Sequence, residues 1–189
     1  MDALLTSTAV VALAEIGDKT MLLAILLAAR FRKPLPIVMV ILVATLANHA
    51  LAAWLGNSVA GVLESPAFRY AVGVGFIAMA LWTLVPDKMD DTEAGPSRHG
   101  AFLTTLVTFF LVEIGDKTQI ATIALGAQFA SVAAVTTGTT LGMMIANVPA
   151  VYLGQRAVEV VPLKAVRAIA ALLFLVVGIW VIGETARWW

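Results

Sequence analysis

The chain has 189 residues, of which 61% are hydrophobic and 13% charged, and its mean hydropathy is +0.96. A soluble domain would be roughly 45–50% apolar and about a quarter charged, so the composition excludes both a soluble globule and a disordered chain. The 12 basic residues balance the 12 acidic ones, which leaves no basic excess for nucleic acid. The absence of cysteine excludes disulfides and thiolate metal sites. A polytopic membrane protein remains.

Apolar runs of about 20 residues, the length that crosses the hydrocarbon core, predict six transmembrane helices. The runs are continuous, whereas the strands of a membrane β-barrel would be shorter and would alternate in polarity. The predicted fold class is therefore all-α, a polytopic membrane protein with six transmembrane helices. The predicted spans cover about residues 3–29, 36–55, 68–85, 101–128, 132–154 and 164–183.

A polar segment, residues 87–100, lies between the third and fourth spans and is typical of a flexible linker. Six spans place both termini on one side, together with only two basic residues. Eight basic residues flank the other side, so the positive-inside rule predicts a cytoplasmic linker and outside termini. The eight are Arg30, Arg32, Lys33, Lys88, Arg98, Arg156, Lys164 and Arg167, and the two are Arg69 and Arg187.

One sequence pattern occurs twice. Residues 14–20 are AEIGDKT and residues 112–118 are VEIGDKT, an offset of 98 that also pairs Arg69 with Arg167. Because the shared residues are the most polar of their spans, the repetition indicates an internal duplication.

The duplication predicts two three-helix repeats, residues 1–86 and 101–189, joined by the linker at 87–100. Since three is odd, the second repeat must cross the membrane in the opposite orientation. Inverted repeats with a site near the midplane are a recurring transporter architecture, although channels can be built in the same way.

Each copy of the pattern places charges near the middle of a span, where each costs about 2.5–3.5 kcal/mol on insertion scales. The glutamate and the aspartate are three residues apart and would share one face of a continuous helix. If the two helices cross, four carboxylates converge into the oxygen shell that hard divalent cations prefer. The predicted metal ligands are Glu15, Asp18, Glu113 and Asp116.

Together with Lys19 and Lys117, the four carboxylates carry a formal charge of −2 when all are ionised. One divalent cation would neutralise this charge, and protons would compete with it for the same oxygen atoms. A site that holds either protons or a metal ion is the chemical basis of cation/proton exchange.

Gly17 and Gly115 lie between the two carboxylates of each copy and permit a close helix approach or a helix break. A first span of 27 residues would be roughly 40 Å long, more than the core thickness of about 30 Å, which favours a tilt or a break. Further candidates for ligation or coupling are Asn48, Asn147, Thr20, Thr118, Gln119, Lys19 and Lys117.

Structural interpretations stay open beside the functional ones. The motif could be an ion-pair cluster that holds two helices together, the lysines could be structural, and the asparagines could make interhelical hydrogen bonds. Gln119 has no counterpart, because Met21 occupies its position in the first copy, and it could make the halves unequal. We interpret His49, next to Asn48, as a packing residue and His99 as a solvated linker residue.

The doubled E-x-G-D-[KR]-[TS] motif resembles the signature of the transmembrane protein 165 family, which comprises Golgi and chloroplast cation transporters and bacterial manganese exporters. Residues 15–20 and 113–118 match it at every defined position, and the resemblance covers the whole chain. It implies transport of Mn²⁺, and in some members Ca²⁺, in exchange for protons. It also implies that the acidic residues of each copy bind the cation.

We therefore expect a secondary transporter, not an enzyme, that exports Mn²⁺ or Ca²⁺ in exchange for protons across the bacterial cytoplasmic (inner) membrane. A divalent-cation channel and a non-transporting membrane assembly protein are the alternatives. The expected partners are divalent metal ions, protons and the lipid bilayer, without nucleic acid and without a cofactor. The sequence leaves a homo-oligomer open.

Overall fold

The computed structural model describes residues 2–62, 65–85, 100–129, 131–154 and 162–187. In these residues all regular structure is α-helical, as predicted, and it forms eight helices. The predicted linker lies outside the described residues except for Gly100, which begins a helix. His99 and Arg156 also lie outside the described residues. The helices are α1 (Asp2–Glu15), α2 (Lys19–Phe31), α3 (Pro34–Val62), α4 (Pro66–Thr83), α5 (Gly100–Glu113), α6 (Lys117–Phe129), α7 (Val132–Leu153) and α8 (Leu163–Ala186).

Three of these helices are long and apolar enough to cross a membrane by length and composition, over Pro34–Val59 in α3, Pro66–Thr83 in α4 and Leu163–Ala186 in α8. The chain is therefore an integral membrane protein. Of the six predicted spans, the second, third and sixth correspond to these three helices, and the first and fourth are each divided into two shorter helices.

The division falls inside the repeated motif in both copies. Gly17 has φ +82° and Gly115 has φ +80°, a backbone conformation that side-chain-bearing residues rarely adopt. In the first copy the Asp18 N–H donates to the Glu15 carbonyl oxygen (3.0 Å) and closes the turn. In the second copy the Asp116 N–H donates to the Glu113 carbonyl oxygen (3.2 Å) in the same way. The expectation that the glutamate and aspartate share one face of a continuous helix is therefore wrong, since they flank a break.

Helices of the two halves pack directly against each other: α1 on α7, and α3 on α6. Glycines bring these backbones together, since a Cβ atom at Gly142 would lie 2.7 Å from the Thr8 carbonyl oxygen. A Cβ at Gly126 would lie 2.5 Å from the Ala53 carbonyl oxygen. Such small-residue contacts are typical of helices in a bilayer, and here they tie the two halves into one body.

The helix pair α4 and α8 joins equivalent positions of the two halves. Phe76 and Phe174, which are 98 residues apart in the sequence, are both fully buried, and their ring centroids lie 6.2 Å apart. Gly73 and Gly178 let the two helices approach closely, because a Cβ at Gly178 would lie 2.8 Å from the Gly73 carbonyl oxygen.

Polarity is distributed opposite to that of a soluble protein. Large apolar side chains such as Leu35, Leu81 and Leu111 are more than half exposed, while the motif carboxylates, Asn48 and Asn147 are buried. A hydrocarbon solvent favours this arrangement, because apolar atoms can face lipid and polar groups must find partners inside.

Candidate metal site

The two helix breaks bring the acidic residues of both motifs into the interior. Each carboxylate follows or precedes a glycine turn, at the end of α1 or α5 or at the start of α2 or α6. Their relative exposures are 0% for Glu15, 1% for Asp18, 0% for Glu113 and 3% for Asp116. All four predicted ligands are therefore buried.

Three of the four carboxylates form a group. One oxygen from each of Glu15, Glu113 and Asp116 lies within 4.8 Å of the other two. Metal–oxygen bonds of about 2.1–2.6 Å allow ligand atoms on opposite sides of one ion to be separated by roughly 4–5 Å. The three oxygen atoms are therefore close enough to contact a single cation.

Asp18 is outside this group and contacts a lysine instead. The Lys117 Nζ lies 2.6 Å from the Asp18 Oδ1, and the Lys19 Nζ lies 3.5 Å from the Asp116 Oδ1. The lysine of each motif thus pairs with the aspartate of the other. The expected convergence of four carboxylates is therefore seen for three of them, and the fourth, Asp18, contacts Lys117 instead.

The two motif threonines both donate to carboxylates, but to different ones. The Thr20 hydroxyl donates to the Glu15 Oε2 at 2.6 Å. The Thr118 hydroxyl donates to the Asp116 Oδ2 at 3.1 Å. Each threonine therefore orients an acidic group of its own motif. The threonine bonds to the glutamate in the first half and to the aspartate in the second.

Of the two predicted asparagines, Asn147 contacts the group and Asn48 bonds to the backbone of α5. The Asn147 Nδ2 is 3.4 Å from the Glu15 Oε2 and donates to the Met143 carbonyl oxygen at 3.0 Å. The Asn48 Nδ2 donates to the Phe110 carbonyl oxygen at 3.3 Å, which fastens α3 to α5. Within the described residues, both Oδ1 atoms are buried without a hydrogen-bond partner, and Asn147 faces Glu15 with its amide nitrogen.

The glycine breaks are held by one residue each. The Gly115 N–H donates to the Gln119 Oε1 at 2.7 Å, and the Gly17 N–H points to the Met21 Sδ at 3.5 Å. Gln119 and Met21 are different residue types at the same structural position, and the Gln119 side chain accepts a hydrogen bond from the glycine of its turn. The halves also differ in that Leu163 lies 2.7 Å from a Cβ built at Gly17, whereas no described atom lies within 4 Å of one at Gly115.

The sequence favours a packing role for His49, and the structure places its ring beside Glu113, one member of the carboxylate group. Its side chain is fully buried, and its Nε2 lies 3.8 Å from the Glu113 Oε2. In the described part of the chain, neither ring nitrogen has a hydrogen-bond partner. The signal available in the sequence was a polar residue in the middle of a span without a counterpart in the other half.

The carboxylate group is incompletely compensated within the described residues. Both oxygens of Glu113 and the Oε1 of Glu15 are buried there without a hydrogen-bond partner. Burying an ionised carboxylate without compensation is very costly. The group is therefore suited to hold a proton or a cation, which is the chemistry that the arrangement supports.

Comparison with known proteins adds independent evidence. A family model described as "Divalent cation/proton antiporter GDT1" matches the chain twice, over residues 3–91 and 101–189. The chain belongs to the GDT1 family. The resemblance inferred from the doubled motif is thereby confirmed, and GDT1 proteins are transporters and not enzymes.

Curated relatives of GDT1 type cover nearly the whole chain. A Vibrio cholerae protein named "Putative manganese exporter" is 51% identical over 180 residues, which is 95% of this chain and 90% of that protein. The "GDT1-like protein sll0615" of Synechocystis is 29% identical, over 95% of this chain and 93% of that protein. The "GDT1-like protein 4" of Oryza sativa subsp. indica is 28% identical, over 92% and 70%. No solved structure matches the chain.

Proposed function

We propose that this protein is a secondary transporter that exports Mn²⁺ from the cell in exchange for protons. Membership of a family of divalent cation/proton antiporters supports the class of transport. The name of the Vibrio cholerae relative supports manganese as the cargo. The observation that carries the proposal is the buried group of Glu15, Glu113 and Asp116, whose oxygens come from both motifs and lie within 4.8 Å of one another.

In the proposed cycle the cation binds to these three carboxylates, and the Asn147 amide nitrogen, 3.4 Å from the Glu15 Oε2, helps to orient Glu15. Hard divalent cations favour carboxylate oxygen ligands. The Thr20 and Thr118 hydroxyls keep two of the carboxylates oriented while the cation enters and leaves.

The two lysines set the charge that the cargo must balance. The pairing of Lys117 with Asp18 and of Lys19 with Asp116 leaves two negative charges among the six ionisable motif residues. One divalent cation or two protons neutralise them. Alternate occupancy by the metal ion and by protons therefore keeps the buried site neutral in both states, which is the electrostatic requirement for exchange inside a membrane.

For the membrane arrangement we propose six spans in two inverted halves, with the helix breaks at mid-membrane. The double match of the family model and the matching glycine turns support two equivalent halves. The charge asymmetry of the loops favours a cytoplasmic linker and outside termini, and the similarity to the Vibrio cholerae protein supports a bacterial inner membrane. Since the chain lacks cysteine, single cysteines can be introduced at residues 2, 92 and 187 and tested with a membrane-impermeant maleimide added outside. We expect the cysteines at residues 2 and 187 to be labelled and the cysteine at residue 92, in the linker, to be protected.

The function is tested in proteoliposomes with an imposed pH gradient. We expect the gradient to drive Mn²⁺ uphill, with proton movement in the opposite direction, and Glu113→Gln to abolish both fluxes. Glu184→Gln is the matched control, because Glu184 is a half-exposed glutamate paired with Arg69 at 3.1 Å outside the carboxylate group. Downhill flux without coupling would favour a channel, and the absence of any flux would favour an assembly protein.

The same vesicles test Ca²⁺ as an additional cargo. The three carboxylates offer oxygen ligands, which Ca²⁺ also accepts. Competition between Ca²⁺ and Mn²⁺ for uptake measures how far this set discriminates between the two ions.

A further inference from the structure

We propose that His49 is a nitrogen ligand of the transported cation and that its imidazole biases the site toward Mn²⁺ over Ca²⁺. The inference rests on the proposed function and adds a specificity-determining residue to it. His49 lies on α3, outside both copies of the repeated motif.

The first support is the environment of the ring. His49 is fully buried, yet among the described residues neither of its nitrogens has a hydrogen-bond partner. Buried polar groups are nearly always satisfied, so a histidine that only filled space would be an expensive choice at this position. A cation next to the ring would satisfy one nitrogen.

The second support is geometric. The His49 Nε2 lies 3.8 Å from the Glu113 Oε2, which is too long for a hydrogen bond. Two donor atoms bound to one ion by bonds of about 2.2 Å, at an angle near 120°, are separated by about 3.8 Å. The Glu113 carboxylate and the imidazole are therefore spaced like two ligands of a common ion rather than like a hydrogen-bonded pair. His49 lies outside the group of described residues in which the Glu15, Glu113 and Asp116 oxygens are all within 4.8 Å of one another, so in the proposed complex its ring moves toward that group.

The selectivity follows from ligand chemistry. Ca²⁺ binds almost entirely through oxygen, whereas transition-metal ions accept imidazole nitrogen. A neutral nitrogen ligand beside the carboxylates therefore favours Mn²⁺ over Ca²⁺ without changing the charge of the site. The contribution comes from one half only, because position 148, one residue after Asn147, is a valine.

Pulsed electron paramagnetic resonance of Mn²⁺ bound to the purified full-length protein tests the inference directly. We expect imidazole ¹⁴N modulation in the wild type and its replacement by a ¹⁵N pattern after labelling with ¹⁵N-histidine. The chain has two histidines, so the signal should persist in His99→Gln. This measurement does not depend on the folding of a His49 variant. In addition, His49→Gln should lower the preference for Mn²⁺ over Ca²⁺ about tenfold.

The outcomes separate this inference from the proposed function. If the wild type binds Mn²⁺ in a Glu113-dependent manner but shows no histidine nitrogen coupling, His49 is not a ligand and the carboxylate site stands. Loss of the coupling in His99→Gln would also overturn the assignment to His49. If the free hexaaqua Mn²⁺ signal is unchanged by the protein, both proposals fail.

Discussion

The Lys117 Nζ lies 2.6 Å from the Asp18 Oδ1, so a buried lysine of the second motif pairs with a buried aspartate of the first. The reciprocal pair, Lys19 with Asp116, is longer at 3.5 Å, and Lys19 is one-quarter exposed. Two identical sequence motifs therefore experience unequal environments, and their variants should behave differently.

The unequal pairs predict unequal stability losses. Removing one member of a buried pair typically costs about 3–5 kcal/mol, whereas a partly exposed pair contributes about 1 kcal/mol or less. We expect Lys117→Gln to lower the unfolding temperature in detergent much more than Lys19→Gln does. The double variant Asp18→Asn/Lys117→Gln should recover part of the loss. Equal losses for the two lysines would contradict the crossed arrangement.

Substitution of Asp116 should mainly weaken Mn²⁺ binding, whereas substitution of Asp18 should mainly lower the stability of the fold. Both substitutions, Asp18→Asn and Asp116→Asn, remove one charge at nearly constant volume, and we expect both to abolish transport. Asp116→Asn removes a ligand and should weaken Mn²⁺ binding at least tenfold, as measured by calorimetry. Asp18→Asn should weaken binding less and stability more, because it leaves Lys117 buried beside an uncharged amide. Normal transport by both variants would make the cluster structural.

Metal affinity should fall as the pH falls. Ionised carboxylates bind a divalent cation, whereas protonated ones lose both charge and lone pairs, so protons and Mn²⁺ compete for Glu15, Glu113 and Asp116. Calorimetry in buffers of different ionisation enthalpy should count up to two protons released per Mn²⁺. A count of zero between about pH 5 and pH 8, with constant affinity, would leave a passive cation pathway as the better interpretation.

Substitution of the break glycines should be costly for two different reasons. Gly115→Ala forces an alanine to a positive φ, at a cost of about 1–2 kcal/mol. Gly17→Ala carries the same strain and must also displace Leu163, so Leu163→Ala should partly rescue it. Gly75→Ala is the control, since Gly75 lies inside α4 with no described atom near a new Cβ, and it should be neutral or stabilising by about 0.5–1 kcal/mol. Thermal unfolding compares all of these variants, and similar losses at residues 75 and 115 would argue against the role of φ.

The helical fold and the family could be predicted because both depend on local patterns. Long apolar runs mark the helices, and the doubled motif carries the family resemblance. The division of the first and fourth spans was only one of two predicted possibilities, since a glycine in an apolar run serves close packing as readily as a break. Gly126 packs against α3, whereas Gly115 takes a positive φ, and no residue adjacent in sequence distinguishes the two roles.

The pairing inside the site could not be predicted from the sequence. Helix periodicity places Glu15 and Asp18 on one face only if the helix is continuous through the motif, and the turn at Gly17 interrupts it. Asp18 contacts Lys117, whereas Asp116, which follows the equivalent turn at Gly115, stays in the group with Glu15 and Glu113. The position of His49 was inaccessible for a similar reason, since its contact with Glu113 depends on how α3 packs against α5.

The crossed pairs also bear on how the protein is made. Lys117 follows Asp18 by 99 residues in the chain, and ribosomes add roughly 5–20 residues per second. The first aspartate is therefore synthesised about 5–20 s before its lysine exists. During that interval the early helices carry acidic groups into the translocon without their final counter-charge. We therefore expect membrane insertion of the two halves to be coupled, and a ribosome stalled between them should leave a nascent chain that is a substrate for membrane quality control.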